Sequence, residues 1–215
     1  MASKETQALI IESAVNLFNR YGTGHVSTNR IAEASGISKG NLHYHFKNKE
    51  SLIQSIYEQM IVEVRQNWQN DHLNPTIAHM AEMFERQLRL IWDFRFFYRE
   101  LTALLQNDSQ LKKKFSENRK RRTADVVRFF EALVAAGVMV QPEGARSLES
   151  LVRISWILGD NWVNYIEVDG YEITPQTIGE GYALVIELFR PYMAEDALRA
   201  IEHHALYQVE PETAV

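Results

Sequence analysis

The stretch from Ser27 to Lys49, STNRIAEASGISKGNLHYHFKNK, decides how this chain is read. It holds two short amphipathic segments joined by a tight, glycine-centred corner. Ile31 and Ala32 face inward from the first segment, Leu42 and Phe46 from the second, and Gly36-Ile37 lies between them. Thr28 and Ser38 each stand about one residue ahead of a helical pattern, where a hydroxyl accepts a bond from an orphan backbone N–H. Gly36 falls where a helix ends with φ > 0, a conformation glycine takes without a Cβ clash. Ala32 suits the point where two helices cross at roughly 90–120°, because a larger side chain would push them apart. The pattern predicts a helix-turn-helix whose segment Ser38 to Tyr44 is presented to DNA.

Composition bounds the rest. With 215 residues, 46% hydrophobic and 11% aromatic, the chain can bury a sizeable core. No uninterrupted apolar run reaches the roughly 18 residues that mark a membrane span, so no membrane partner is expected. The N-terminal MASKETQALII lacks an apolar signal core with a small-residue cleavage site. Cysteine is absent, which excludes disulfides and thiolate zinc and fits a cytoplasmic location. The net charge of −5 is unevenly spread, with +2 over residues 1–50 and −7 over the remaining 165. A mildly basic head on an acidic body can approach phosphates head first.

Helical periodicity runs along the whole chain. Residues 5–21 place Ile10, Ala14, Leu17, Phe18 and Tyr21 on one face, and Gly22 and Gly24 end that helix. Asn48 stands at the cap position of a long helix whose seam runs from Leu52 to Trp68. Asn74-Pro75 opens another, an aromatic segment spans Trp92 to Leu105, and a long helix runs from Asn107-Asp108-Ser109 to Gly137. Residues 145–168 are apolar nearly all round, which calls for burial on more than one side. Thr174-Pro175 caps the next helix, and a short amphipathic one around Asp196–Tyr207 precedes a polar tail. No β alternation, internal repeat or low-complexity linker interrupts the pattern. Nine or ten helices are expected in an all-α protein, with a helix-turn-helix domain over residues 1–48 and a larger helical body over residues 49–215.

The first fifty residues resemble the TetR family of one-component transcriptional regulators. Thr28 with Ile31-Ala32-Glu33-Ala34, Gly36 to Gly40, Leu42, His45-Phe46 and Lys49-Glu50-x-Leu52 stand at that family's spacing. The string FFYRELTALL, Phe96 to Leu105, resembles a bacterial transcriptional repressor subgroup. The family commonly has tyrosine directly after the Leu42 position, whereas this chain has His43 with Tyr44 one place on. The resemblance implies an all-helical body that binds a small molecule and dimerises, and a head that binds double-stranded DNA. Thr28, Tyr44 and Lys49 are then the expected phosphate contacts, which fix register without reading sequence. Ser38, Lys39, Asn41 and His43 can reach base edges, where Asn favours adenine and Lys guanine, and Gly40 lets the backbone approach. One recognition helix makes few contacts, so two heads on a palindromic site are expected.

The two long C-terminal stretches, Leu148–Ile166 and Ile178–Phe189, carry more apolar surface than one body needs, which predicts a homodimer through a four-helix interface. Met60, Met80, Phe84, Trp92, Phe96, Phe97, Leu104, Phe130, Trp156, Asn161 and Tyr165 are candidates for contact with a hydrophobic or aromatic effector. For each of them the competing reading is plain core packing. The basic run Lys112-Lys113-Lys114 with Arg119 to Arg122 reads as flanking-DNA or anion contact, or as a solvated face paired with neighbouring acids. No metal site is expected, since His43 and His45 diverge by about 200° on a helix. No cofactor or enzymatic activity is expected either, because no P-loop, nucleophile elbow or dinucleotide turn occurs. The alternative functions are chromosome organisation and an unrecognised small-molecule enzyme.

Overall fold

The computed structural model describes residues 2–66, 75–143 and 147–203. Its elements in chain order are α1 (Ala2–Tyr21), α2 (Thr28–Ala34), α3 (Lys39–His45), α4 (Lys49–Gln66), α5 (Ile77–Asp93), α6 (Arg95–Arg99), α7 (Leu101–Asn107), α8 (Ser109–Ala135), α9 (Leu148–Val168), α10 (Pro175–Phe189) and α11 (Glu195–His203). A 3₁₀ turn, Arg190–Tyr192, follows α10. Among the described residues there are eleven α-helices and no strand, so the protein is all-α, with slightly more helices than periodicity suggested. The aromatic segment supplies the difference, because Phe94 and Glu100 break it into α6 and α7.

The chain forms two compact units. The first comprises Met1–Gln66 with Asp93–Lys113, the second Asn67–Trp92 with Lys114–Val215. In the first, Ile10, Ala14 and Phe18 of α1 are fully buried together with Ile31, Leu42, Leu52, Ile56 and Phe96. Phe18 meets Phe96 at 5.2 Å between ring centroids, and Tyr57 stacks on Phe97 at 5.2 Å. α2 ends in a doubly bonded corner: Gly36 N–H donates to Glu33 O and Ile37 N–H to Ala32 O, each at 3.0 Å. Gly36 has φ +66°, so the expected left-handed glycine stands at that corner.

Capping differs from expectation at α2. Its cap is Ser27, whose hydroxyl accepts from Arg30 N–H at 3.3 Å, so Thr28 is the first helical residue. Ser38 does cap α3, accepting from Asn41 N–H at 3.2 Å. Asn48 caps α4 by accepting from Ser51 N–H at 2.8 Å. α5 starts at Ile77, two residues after the Pro75 that was expected to open it, and Thr76 and His79 exchange the capping bonds; Asn74 itself lies outside the described residues. Trp68 and residues 204–207 of the last predicted helix also lie outside them.

In the second unit the core joins α5, α8, α9 and α10. Met80, Phe84, Phe130, Leu133, Val152, Val163, Val185 and Phe189 are all buried. Phe130 stacks on Phe189 at 4.6 Å, and Phe84 meets Tyr182 edge-on at 5.6 Å. α9 and α10 pack against each other. Gly181 sits under the Trp162 indole, and a Cβ there would lie 2.4 Å from the ring. The indole N–H donates to Thr177 O at 2.7 Å, which fixes the ring over that glycine. Hydrogen bonds from Val140 N–H to Tyr192 O and from Ala194 N–H to Val138 O tie the end of α8 to the 3₁₀ turn.

Candidate nucleic-acid interface

α3 is only seven residues long, so its position depends on its anchors rather than on its own helix propensity. Leu42 is wholly buried and Phe46 is 3% exposed, and together they hold the inner side. Ser38, Lys39, Gly40, Asn41, His43 and Tyr44 are all exposed. At about 100° per residue, Gly40 and Tyr44 point most directly away from Leu42 and Asn41 and His43 flank them, while Lys39 lies about 60° from Leu42, at the edge of the exposed side. Tyr44 is 81% exposed, an extreme value for an aromatic ring, and its only described ring contact is an edge-on approach to His45 at 5.3 Å. Gly40 has open space around its missing Cβ, with only Ser38 Oγ 4.0 Å away. Internal packing therefore does not demand a glycine at position 40; an outside surface that must come close would.

Thr28 and Lys49 are half-buried. The Lys49 ammonium is engaged: it donates to Thr23 O at 2.6 Å and Val26 O at 3.3 Å. These bonds tie the turn between α1 and α2 to the first residue of α4, and one N–H of the ammonium remains for an outside acceptor.

The same turn is gripped from α6 and α7. Thr23 is 7% exposed, its N–H donates to Glu100 Oε1 at 2.9 Å, and its hydroxyl donates to Glu100 Oε2. Arg99 donates to Phe18 O at 3.2 Å. Asn19, 9% exposed, donates to Asp93 O at 2.8 Å and accepts from Phe96 N–H at 3.1 Å. Sequence reading did not single out Asn19, Thr23 or Glu100. The available signal was Asn19, an amide beside the buried Phe18, where a polar side chain must find partners. Removing the Glu100 carboxylate leaves a buried N–H and a hydroxyl without acceptors. Glu100→Ala is expected to cost about 2 kcal/mol, given the strength of bonds to charged groups. In a chain of this size that is a fall of about 4–8 °C in the thermal midpoint, with Glu100→Gln losing less than half as much. An unchanged midpoint for the alanine variant would show that the turn is held by other contacts.

A family model described as bacterial regulatory proteins, tetR family, matches residues 10–56, and one described as bacterial transcriptional repressor matches residues 56–201. The chain belongs to the TetR family of transcriptional regulators. A Pseudomonas putida protein named "Probable HTH-type transcriptional regulator ArpR" is 27% identical over 129 residues, which span 58% of this chain and 60% of that one. The solved structure of a TetR-family transcriptional regulator from Marinobacter aquaeolei VT8 is 28% identical, with a TM-score of 0.77 over 91% of this chain and 97% of that one. A transcriptional regulator from Saccharomonospora viridis, solved in complex with choline, shares the fold at 15% identity, with a TM-score of 0.69 over 89% and 100% of the two chains. All three relatives are described as transcriptional regulators. No helix of the described residues is long and apolar enough to cross a membrane.

The effector candidates of this TetR-family regulator fall into different places. Met60, Phe96, Phe97 and Leu104 are buried in the first unit. Met80, Phe84 and Phe130 are buried in the second, where Trp92 and Trp156 are half-buried. Trp156 is distinctive because its indole N–H is buried with no acceptor. Its ring lies 4.5 Å from the Arg119 guanidinium, which also pairs through both nitrogens with Asp160 at 2.7 and 2.8 Å. Asn161 and Tyr165 stand apart from these, on the exposed side of α9. Tyr165 stacks on Trp162 and hydrogen-bonds Asp169, whose carboxylate pushes its phenol pKa up.

That exposed side of α9 is an apolar stripe. Ile154, Ile157, Tyr165 and Val168 are 45%, 61%, 56% and 84% exposed, with Asn161 between them. The intervals of three, four, four and three residues keep them on one face. Leu184 of α10 is 48% exposed.

The basic run of α8 is split in the same way. Arg119 is held by Asp160, Arg121 donates to Asn118 and Arg122 is 8% exposed, whereas Lys112, Lys113 and Lys120 face outward.

Proposed function

We propose that this regulator is a cytoplasmic repressor that binds a palindromic operator as a homodimer and is modulated by a small hydrophobic or aromatic effector. The exposed arc of α3 carries the reading: five side chains and one glycine project from a helix whose inner residues are immobilised. Such a helix lies in the major groove with its outer residues toward base edges. In this reading Thr28, Tyr44 and the remaining N–H of Lys49 meet phosphates. Ser38, Lys39, Asn41 and His43 face bases, while Gly40 permits the close approach. Residues 1–48, with Lys49 at their boundary, then do the binding and the rest of residues 49–215 sets when it occurs.

The stripe of α9, with Asn161 and Tyr165 in it, supports pairing of two copies about a two-fold axis. The buried residues Met80, Phe84 and Phe130, with Trp92 and Trp156, support an apolar effector site in the body. The unpaired Trp156 N–H favours an effector that carries a hydrogen-bond acceptor. An effector changes DNA affinity only by preferring one arrangement of the paired heads over another.

Selection from a random pool of duplexes tests the reading: a palindrome with half-sites about one helical turn apart is expected, and recovery of no palindrome overturns it. On the selected duplex, Tyr44→Phe is expected to weaken binding to all sequences alike. Asn41→Ala is expected to lose about 1–3 kcal/mol of discrimination at one base pair of each half-site. Identical behaviour of the two variants would refute this sorting of contacts.

A further inference from the structure

Tyr21, the last residue of α1, has two guanidinium groups over its ring. Arg30 of α2 places its guanidinium carbon 3.9 Å from the ring centroid, and Arg20 places its own at 5.2 Å. Tyr21 is half-buried and both arginines are exposed. Among the described residues neither guanidinium meets a carboxylate; Glu33, one turn along α2 from Arg30, forms no ion pair with it. This contrasts with Arg86, Arg119, Arg128, Arg153, Arg190 and Arg199, each of which pairs with an acid. Two cations that share one ring without a counter-charge repel each other, and an anion seated beside them would relieve that repulsion.

From this geometry we infer that Arg20, Tyr21 and Arg30 form a second phosphate-binding station, separate from α3, for the backbone of the operator DNA. The inference rests on the DNA-binding reading above and extends it to residues outside the recognition helix. In a helix-turn-helix the first helix of the pair crosses the sugar–phosphate backbone. Arg30 lies on α2 and is exposed, while its neighbours Ile31 and Ala32 are buried. The guanidinium fork matches a phosphate, and stacking on the phenol ring holds that fork ready before DNA arrives. The ring leaves the N–H donors at the guanidinium edge free, so stacking and phosphate binding are compatible. The station carries charge and no base-reading geometry, so it adds affinity equally on every sequence.

The test measures the affinity of the duplex recovered by the unaltered protein from a random pool, between about 50 and 200 mM KCl. Each lost phosphate contact flattens the log–log salt slope by about 1. Arg30→Gln is expected to flatten it by that amount and to weaken binding several-fold on all sequences alike. Arg20→Gln is expected to act in the same direction. Arg30→Lys, which keeps the charge and loses the fork, restores the slope while leaving part of the affinity loss. Tyr21→Leu keeps both charges and should weaken binding with the slope unchanged. Arg30→Gln with the original slope overturns the station, as does a loss confined to one base pair. Tyr21→Leu with full affinity overturns the role of the ring. Failure of the unaltered protein to select any duplex is a different result, which refutes the DNA-binding reading itself.

Discussion

Ile157→Glu is expected to leave the chain folded but monomeric and to weaken operator binding by about 100-fold or more. Ile157 is 61% exposed in the single chain, so a carboxylate there costs the isolated fold little. In the proposed dimer the same position lies in the stripe from Ile154 to Val168, where burial of a carboxylate on each of two facing helices is strongly unfavourable. Losing the partner removes the tether between the two heads, and linkage of two modules typically contributes 10²–10⁴ in apparent affinity. Sedimentation equilibrium reports the oligomeric state and a binding titration on the selected duplex reports the affinity. A variant that remains dimeric places the interface elsewhere; a monomer that binds as tightly as the unaltered protein refutes the two-headed mechanism.

Gly181→Ala is the second large effect expected, and it acts inside the chain. A Cβ at Gly181 would stand 2.4 Å from three atoms of the Trp162 ring, well inside contact distance. The ring cannot turn aside freely, because its N–H is bonded to Thr177 O at 2.7 Å and its face is stacked on Tyr165. Overpacking of this kind costs about 1–3 kcal/mol, and loss of the indole hydrogen bond adds about 1. A fall of about 5–12 °C in the thermal midpoint follows, with weaker dimerisation because α9 and α10 no longer seat together. In a Trp162→Ala background, which has no ring to clash with, Gly181→Ala should cost far less than it does in the unaltered chain. An unchanged midpoint for Gly181→Ala would show that the two helices have slack at this crossing.

The head was legible in the sequence because its determinants are local. Ile31, Ala32, Leu42 and Phe46 follow helical spacing, and Gly36 marks a corner that only a left-handed residue turns well. Those features act within twenty residues, so linear spacing describes them. The cap of α2 was misplaced by one residue, Ser27 instead of Thr28, because two adjacent hydroxyls offer the same chemistry. The surface of α9 was legible only as excess: apolar all round, with nothing to say which side covers its own core. Burial of Leu151, Val152, Val163 and Ile166 and exposure of Ile154, Ile157 and Val168 divide it. That division moves Asn161 and Tyr165 away from the buried effector candidates and onto the outer stripe.

The all-α class, the approximate extent of the long helices and the recognition helix follow from periodicity, capping residues and glycines, which act on neighbours along the chain. Contacts between distant segments were decided by tertiary structure. Nothing in the spacing of Thr23 and Glu100, 77 residues apart, announces that one carboxylate holds both the N–H and the hydroxyl of that threonine. Nothing in Lys49 distinguishes an ammonium free for phosphate from one bonded to the α1–α2 turn. The stacking of Arg30 on Tyr21 likewise appears only when α2 folds back on α1. In each case the physical reason is the same. A charged side chain has several partners of similar chemistry available, and only the folded backbone decides which of them lies within reach.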